Sequence, residues 1–306
     1  MKSLTTSLGE YIKVRRSLGY QLKSVERNLK KFIAYLKKKG CQYITVQLAL
    51  EWATLPKNVK RSTWSRRLSI VRLFAQYRKA EDPRTEIPPS HLLSQKPDRA
   101  IPYIYSEKEI HQLLKACQSL SSRGLRHCTY YTFFGLMAVT GCRISELISL
   151  NREDLDIKNN WIIVRNSKYD KSRLLPLHPT TMQQLKKYSK IRDQFPVRDI
   201  NAFFLSDHGK RITEWSTRFA FIQISKQIGL RGQFDSNGPR IHDIRHTFAV
   251  KALLNWYRKG INIDQKITLL STYLGHKKPT DTYWYMTGTA ELLAQATNRL
   301  EKNIGE

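Results

Sequence analysis

The stretch EDPRTEIPPSHLLSQKPDRAIP, from Glu81 to Pro102, holds five of the chain's eleven prolines. Proline fixes φ and carries no backbone N–H, so neither a helix nor a central strand can run through so many of them. A chain of 306 residues with such a break is expected to fold as two bodies joined by an extended strap. The division predicted is a helical body over 1–82, a proline-bearing linker over 83–102 and a second body over 103–306.

Before the strap the apolar residues keep a helical period. Leu4, Leu8, Tyr11, Ile12 and Leu18 lead up to Gly19, and Ser24 is placed to cap a second run with Val25, Leu29, Phe32, Ile33 and Leu36 that stops at Gly40. Thr45 opens a third helix ending before Pro56. Ser62 opens a fourth carrying Trp64, Leu68, Val71, Phe74 and Tyr77. Four amphipathic helices make a small bundle.

After the strap, Ser106 and Glu109 form a capping box, and a very apolar helix follows from about Leu125 to Thr140. Gly141 breaks it, and Cys142-Arg143-Ile144-Ser145-Glu146-Leu147 starts another. The period then shortens to two over Leu155–Ile157, Trp161–Arg165 and Arg173–Leu177, which predicts a three-stranded meander. Its second turn, NSKYDKS, raises Lys168 and Lys171. Helices return at about 180–195 and 213–229, with a hairpin of Ala202–Ser206 and Arg211-Ile212 between them, and HDIRH begins one more. The fold class is mainly α with a small antiparallel sheet in the C-terminal body.

Lys and Arg number 53 against 25 Asp and Glu, a formal charge of +28. Such an excess favours a polyanion through counterion release, which makes DNA or RNA the first partner to consider. Residues 1–100 are the most lopsided, with 22 basic and 7 acidic side chains, so the first body is expected to lie on DNA. Taken singly, Lys37–Lys39 and the Arg66-Arg67 pair read as solvated helix faces; only the aggregate argues for binding. The longest apolar run, Phe133–Val139, is far short of a membrane span, and MKSLTTSLGEYIKVRR lacks the continuous apolar core of a signal peptide. A cytoplasmic location, nucleoid-associated in a prokaryote, is expected. Cys41, Cys117, Cys128 and Cys142 have no C-x-x-C spacing and read as reduced thiols.

The residues able to do chemistry cluster after the meander. His242, Arg245 and His246 stand at i, i+3 and i+4 near a helix N-terminus, where free N–H groups and the dipole favour an anion. A zinc site of the metalloprotease kind needs Glu directly after the first His; Asp243 stands there and no third ligand is evident, so no metal is expected. Cleaving a phosphodiester without a metal requires a nucleophile, cations for the oxygens that gain charge, and a proton donor for the leaving alkoxide. Arg143 and Arg245 offer planar forks for the non-bridging oxygens. Lys168 on its hairpin, in competition with Lys171, can protonate the leaving oxygen. His242 or His276 can bond to the phosphate or accept a phenol proton. Nine residues beyond His276 lies Tyr285, in TYWYM, where Tyr283 is a second candidate nucleophile.

In these blocks the sequence resembles the tyrosine recombinase, or phage integrase, family. TGCRISEL supplies Arg143, SKYDKSRLLPLH supplies Lys168, HDIRHTF supplies His242 and Arg245, LGH supplies His276 and TYWYM supplies Tyr285, all in family order. The resemblance runs from about residue 103 to the end, and the helical body with its strap resembles the family's core-binding domain. It implies a two-domain, C-shaped clamp on a duplex and a transesterification without metal, ATP or other cofactor, in which a tyrosine forms a 3'-phosphotyrosyl link and frees a 5'-hydroxyl. It selects Tyr285, nine residues after the LGH histidine and three after Thr282, and the first hairpin lysine, Lys168. Glu146 matches an acidic position that buttresses the site, although on the residues alone it reads as a helix-surface or capping group. A homotetramer on paired DNA sites is implied, and 289–301, with Leu292, Leu293, Ala296 and Leu300 at helical spacing, could dock on a neighbour or fold back on its own domain. Met286 and Thr287 follow the nucleophile where chromosome-dimer resolving members commonly carry a Thr-His pair, so the tail resembles transposon-borne and integrase-like members more closely. The alternatives are DNA relaxation of the type IB topoisomerase kind and a catalytically silent DNA-binding regulator.

Overall fold

The computed structural model describes residues 2–93, 101–120, 124–167, 171–235, 237–276, 278, 280–283 and 285, the side chains of 166, 167 and 171 excepted. The expectations for Lys168, for the hairpin tip and for a helix over 289–301 lie outside the described residues. The chain divides into two compact units, Met1–Ala100 and Ile101–Glu306.

The first unit is built from α1 (Leu4–Ser17), α2 (Lys23–Lys38), α3 (Val46–Thr54) and α4 (Arg61–Lys79). Each turns one apolar stripe inward, and Leu29, Phe32, Leu36, Val71 and Phe74 are wholly buried among them. Thr45 caps α3 through its side chain, accepting from the Leu48 amide at 3.2 Å. Two expected starts differ. Helix α2 begins before Ser24, at a left-handed Leu22 (φ 45°), with no side-chain cap. Helix α4 begins at Arg61 after an extended Lys60, which puts Ser62 inside the first turn. Here the Trp64 indole donates to the Pro56 carbonyl at 2.8 Å, so a tertiary contact rather than a cap sets the helix start. Arg78, 1% exposed, ties the end of α4 to the start of α1 by donating to Ser7 Oγ (2.7 Å) and the Lys2 carbonyl (2.7 Å). The proline-bearing segment is partly held on this unit: the Glu86 amide donates to the Ile44 carbonyl at 2.8 Å, and Leu93 packs against the bundle core.

In the second unit, α5 (Glu107–Cys117) begins with the expected Ser106/Glu109 box, and α6 (Arg126–Thr140) is the central helix, with Phe133, Phe134 and Met137 fully buried. After α7 (Ile144–Ile148) and a 3-10 turn, β1 (Leu155–Asp156), β2 (Trp161–Ser167) and β3 (Lys171–Pro176) form an antiparallel sheet in sequence order, with Ile162 opposite Leu175 and Val164 opposite Arg173. The helices α8 (Pro179–Arg192), α9 (Glu214–Gln227), α10 (Ile241–Arg258), α11 (Ile263–Leu274) and the short α12 (Thr280–Tyr283) complete the unit. The hairpin expected near 202–212 reduces to the isolated bridge Leu205–Arg211, while Ala202 bridges to Asn151 instead. Among the described residues no helix is long and apolar enough to cross a membrane. The four cysteines are free thiols.

Gly141 ends α6 in the left-handed region (φ 62°), and a Cβ there would lie 2.5 Å from Phe248 Cδ1. Left-handed backbone alone costs a non-glycine residue about 1–2 kcal/mol, and the clash adds to it. Gly141→Ala is therefore expected to lower stability by at least about 2 kcal/mol in denaturant melts. A change under a few tenths would contradict this account of the turn.

Candidate active site

Helix α10 starts with Asp243 doing local work: its carboxylate accepts from the Arg240 backbone amide (2.8 Å) and pairs with the Arg240 guanidinium (2.7 Å). That explains an Asp where a zinc motif would need Glu. One turn on, Arg245 is 1% exposed. Its Nη1 donates to the Gly141 carbonyl at the end of α6 (2.7 Å), and its Nη2 donates to the Leu274 carbonyl at the end of α11 (2.6 Å). Both acceptors are orphan carbonyls at negative helix ends, where a cation belongs. Burial and the neighbouring Arg143 charge lower its proton affinity, and the Tyr285 phenol lies within its electrostatic reach. A guanidinium only donates, so both carbonyls accept from it.

The same logic orients His276. Arg245 Nη2 lies 2.9 Å from His276 Nε2, which must accept, so the ring proton sits on Nδ1 and is donated to Thr282 Oγ1 at 2.8 Å. Gly275, left-handed at φ 66°, makes the turn that brings His276 back under α11.

Arg143 comes from the turn between α6 and α7. Its Nη1 donates to Glu146 Oε1 (2.6 Å), its Nη2 to the Gly275 carbonyl (2.8 Å), and its backbone amide to Glu146 Oε2 (2.9 Å). The side chain remains 23% exposed, so this guanidinium can meet an incoming anion while it is held from behind. Glu146 is buried and ionised: despite burial, the Arg173 and Arg143 guanidiniums hold its carboxyl down at about 2.

The Tyr285 ring, 3% exposed, lies 5.9 Å from the His276 ring and 5.3 Å from that of His246, which in turn meets His242 edge to face at 4.8 Å. Tyr283, two residues earlier, is 41% exposed on α12. The structure thus brings together Arg143, Glu146, His242, Arg245, His276 and Tyr285. His246 joins them from the anion-favouring face at the start of α10, and Arg173 has no role from sequence. His246 packs between His242 and Tyr285. Arg173 grips Glu146 with both terminal nitrogens, at 3.1 and 2.8 Å. The strand alternation carried a signal for Arg173, because it shares the face of fully buried Leu175, and a cation on the core side of a strand calls for a buried partner.

The three histidines are depressed to about 4. Burial is the first cause for each; the second is the Arg245 charge for His242 and His276, and His242 for His246. His242 is the most solvent-open of the three, so water screens part of its shift. All three are neutral at pH 7.

The model of the phage integrase family matches residues 104–291. A putative integrase/recombinase of Sinorhizobium fredii, y4rB, is 42% identical over 99% of this chain and 98% of its own. The tyrosine recombinase XerC of Chlamydia caviae is 31% identical over 79% of this chain and 72% of its own. Among solved structures, the Tn1549 transposon integrase in complex with transposon right end DNA superposes with a TM-score of 0.68 at 18% identity, covering 98% of this chain and 99% of that one. At that identity the likeness speaks for the fold.

A histidine held below its unfolded value of about 6.5 leaves the unfolded state with more bound protons, so stability rises with pH across the window between the two values. The unfolding midpoint is expected to hold above pH 7 and fall as pH drops from 6.5 towards 4, with a further loss from Glu146 only between about 4.5 and 2. His276→Gln should flatten the first slope. A midpoint independent of pH between 7 and 4.5 would contradict the buried, neutral histidines.

Proposed function

The chain belongs to the phage integrase family and is a tyrosine-type site-specific DNA recombinase, and from that premise we propose that Tyr285 opens a strand by attacking the scissile phosphate. The observation that carries the assignment is the packing of the buried Tyr285 ring, 5.9 Å from the ring of His276, whose Nε2 takes a hydrogen bond from Arg245, while Tyr283 is 41% exposed. In the step, a Tyr285 Oη–P bond forms and the P–O5' bond breaks. The phenol proton leaves to a histidine, and Lys168 supplies the proton that makes the leaving group a 5'-hydroxyl. Attack by a 5'-hydroxyl of the partner strand reverses the exchange, so the bond energy stays in the phosphotyrosyl link.

Arg143, still partly open, meets the non-bridging oxygens, and the buried charge of Arg245 helps offset the charge that builds on them. The phosphate in turn tunes the bases. His242 and His276 are neutral because burial and arginine charge exclude the proton; an arriving phosphodiester anion offsets part of that charge and raises their proton affinity as the phenol gives up its proton. His246 stands between His242 and the Tyr285 ring, and His276 Nε2 already accepts from Arg245, so either acceptor must shift as the phenol proton leaves.

The basic helices of the first unit lie on the flanking duplex, supported by the excess of 22 basic over 7 acidic side chains in residues 1–100. The protein assembles as a homotetramer on paired sites in the cytoplasm and serves a mobile element in integration, excision or resolution. The likeness to an integrase/recombinase relative along nearly the whole chain and the fold of a transposon integrase support this reading.

The test is a nicked suicide duplex bearing an end of the element that encodes the chain. Wild type and Tyr283→Phe are expected to trap a covalent protein–DNA complex without added metal, and Tyr285→Phe to trap none. A complex that survives Tyr285→Phe would overturn the nucleophile.

A further inference from the structure

Resting on the reading that Arg143 grips the scissile phosphate, we propose that Arg173 is a positioning residue for that contact. It holds Arg143 through the Glu146 carboxylate and links it to the hairpin strand that follows the lysines. Glu146 receives Arg143 on one side (Nη1 to Oε1, 2.6 Å) and both terminal nitrogens of Arg173 on the other (3.1 and 2.8 Å). Arg173 Nε donates to the Tyr273 carbonyl at 2.8 Å, two residues before the Gly275 carbonyl that accepts from Arg143. Strand β3, the turn after α6 and the end of α11 are therefore tied together at one carboxylate and two carbonyls.

Arg173 is not itself placed to hold substrate. All three of its nitrogens are committed, its side chain is 12% exposed, and the Gly275 backbone closes on it so tightly that a Cβ at Gly275 would sit 2.7 Å from Arg173 Nη1. Arg143, at 23% exposed, is the open member of the pair. A long, half-open arginine has many rotamers, and one carboxylate that could itself swing would not restrict them. The two-pronged grip of Arg173 fixes the plane of the Glu146 carboxylate, and that plane fixes Arg143. Charge acts in the same direction. Two guanidiniums around one carboxylate leave a single positive charge for a phosphodiester, whereas Arg143 and Glu146 alone would be neutral.

Replacing Arg173 should therefore leave DNA binding, which many basic side chains share, and damage the chemical step. The experiment uses the nicked element-end duplex with wild type, Arg173→Ala and Arg173→Lys, measuring gel-shift affinity, melting temperature and the rate of covalent-complex formation. It is repeated on a duplex whose scissile phosphate is a methylphosphonate, where a neutral methyl replaces one non-bridging oxygen and less charge remains for Arg143 to offset. Arg173→Ala is expected to bind as wild type and cleave the ordinary duplex about 100-fold more slowly, the scale of a misplaced catalytic group. Arg173→Lys, which restores the charge without the fork, should fall between the two. On the methylphosphonate duplex the Arg173→Ala deficit should shrink to about tenfold or less. Cleavage by Arg173→Ala at close to the wild-type rate, or a deficit of equal size on both duplexes, overturns the inference. If Arg173→Ala does not fold, Arg173→Lys is judged by the same two criteria. A wild type that forms no covalent complex would instead overturn the underlying reading of the site.

Discussion

A positive charge buried at Arg245 is the constraint on which the second unit depends. A guanidinium with 1% of its surface exposed has lost its water, and the chain replaces that water with the Gly141 and Leu274 carbonyls. Both belong to helix ends whose last carbonyls have no partner within the helix, so two unsatisfied termini and one desolvated cation compensate one another. Three helices, α6, α10 and α11, are thereby fixed at one point. His276 then takes its place from the same guanidinium through Nε2, and the Tyr285 ring packs against His276.

Around that anchor the site keeps an excess of positive charge in a partly dry setting. Glu146 is the acid in contact with Arg143 and Arg173, and its carboxyl is held at about 2, so it remains a counter-charge at any working pH. The histidines answer the same field with the opposite response and give up their protons. A pocket with fixed cations, neutral imidazoles and a phenol beside an arginine is electrostatically incomplete until an anion arrives. In the proposed reaction the phosphate of a DNA backbone supplies that anion.

Much of this was legible in the sequence because it depends on local rules. The helical stripes, the Ser106/Glu109 box, the Thr45 cap, the Gly141 stop and the three-stranded meander follow from periodicity, capping and turn chemistry within a few residues of one another. The starts of α2 and α4 are not legible from local rules because no cap decides them: a left-handed Leu22 begins one, and the Trp64 bond to Pro56 holds the other. Helix α11 is absent from the sequence expectations, although its Asn262 cap and its buried Ile263, Ile267, Leu270 and Leu274 keep helical spacing.

The sequence by itself determined which candidates the proposed reaction can draw on, because their blocks stand in family order: two arginines, two histidines, a hairpin lysine and a tyrosine. It also determined a charge of +28, which favours a polyanion as partner. The residues alone left Tyr283 and Tyr285 both open, and the family resemblance selected Tyr285; the tertiary structure separates them physically, burying Tyr285 against His276 and leaving Tyr283 41% exposed. Only the tertiary structure gave Arg173 a role and turned Glu146 from a helix-surface carboxylate into the joint between two guanidiniums. The reason is physical. Which groups are present is written in one dimension, but which cation shares a carboxylate, and which ring nitrogen is left to accept, is fixed by distances between segments up to 132 residues apart.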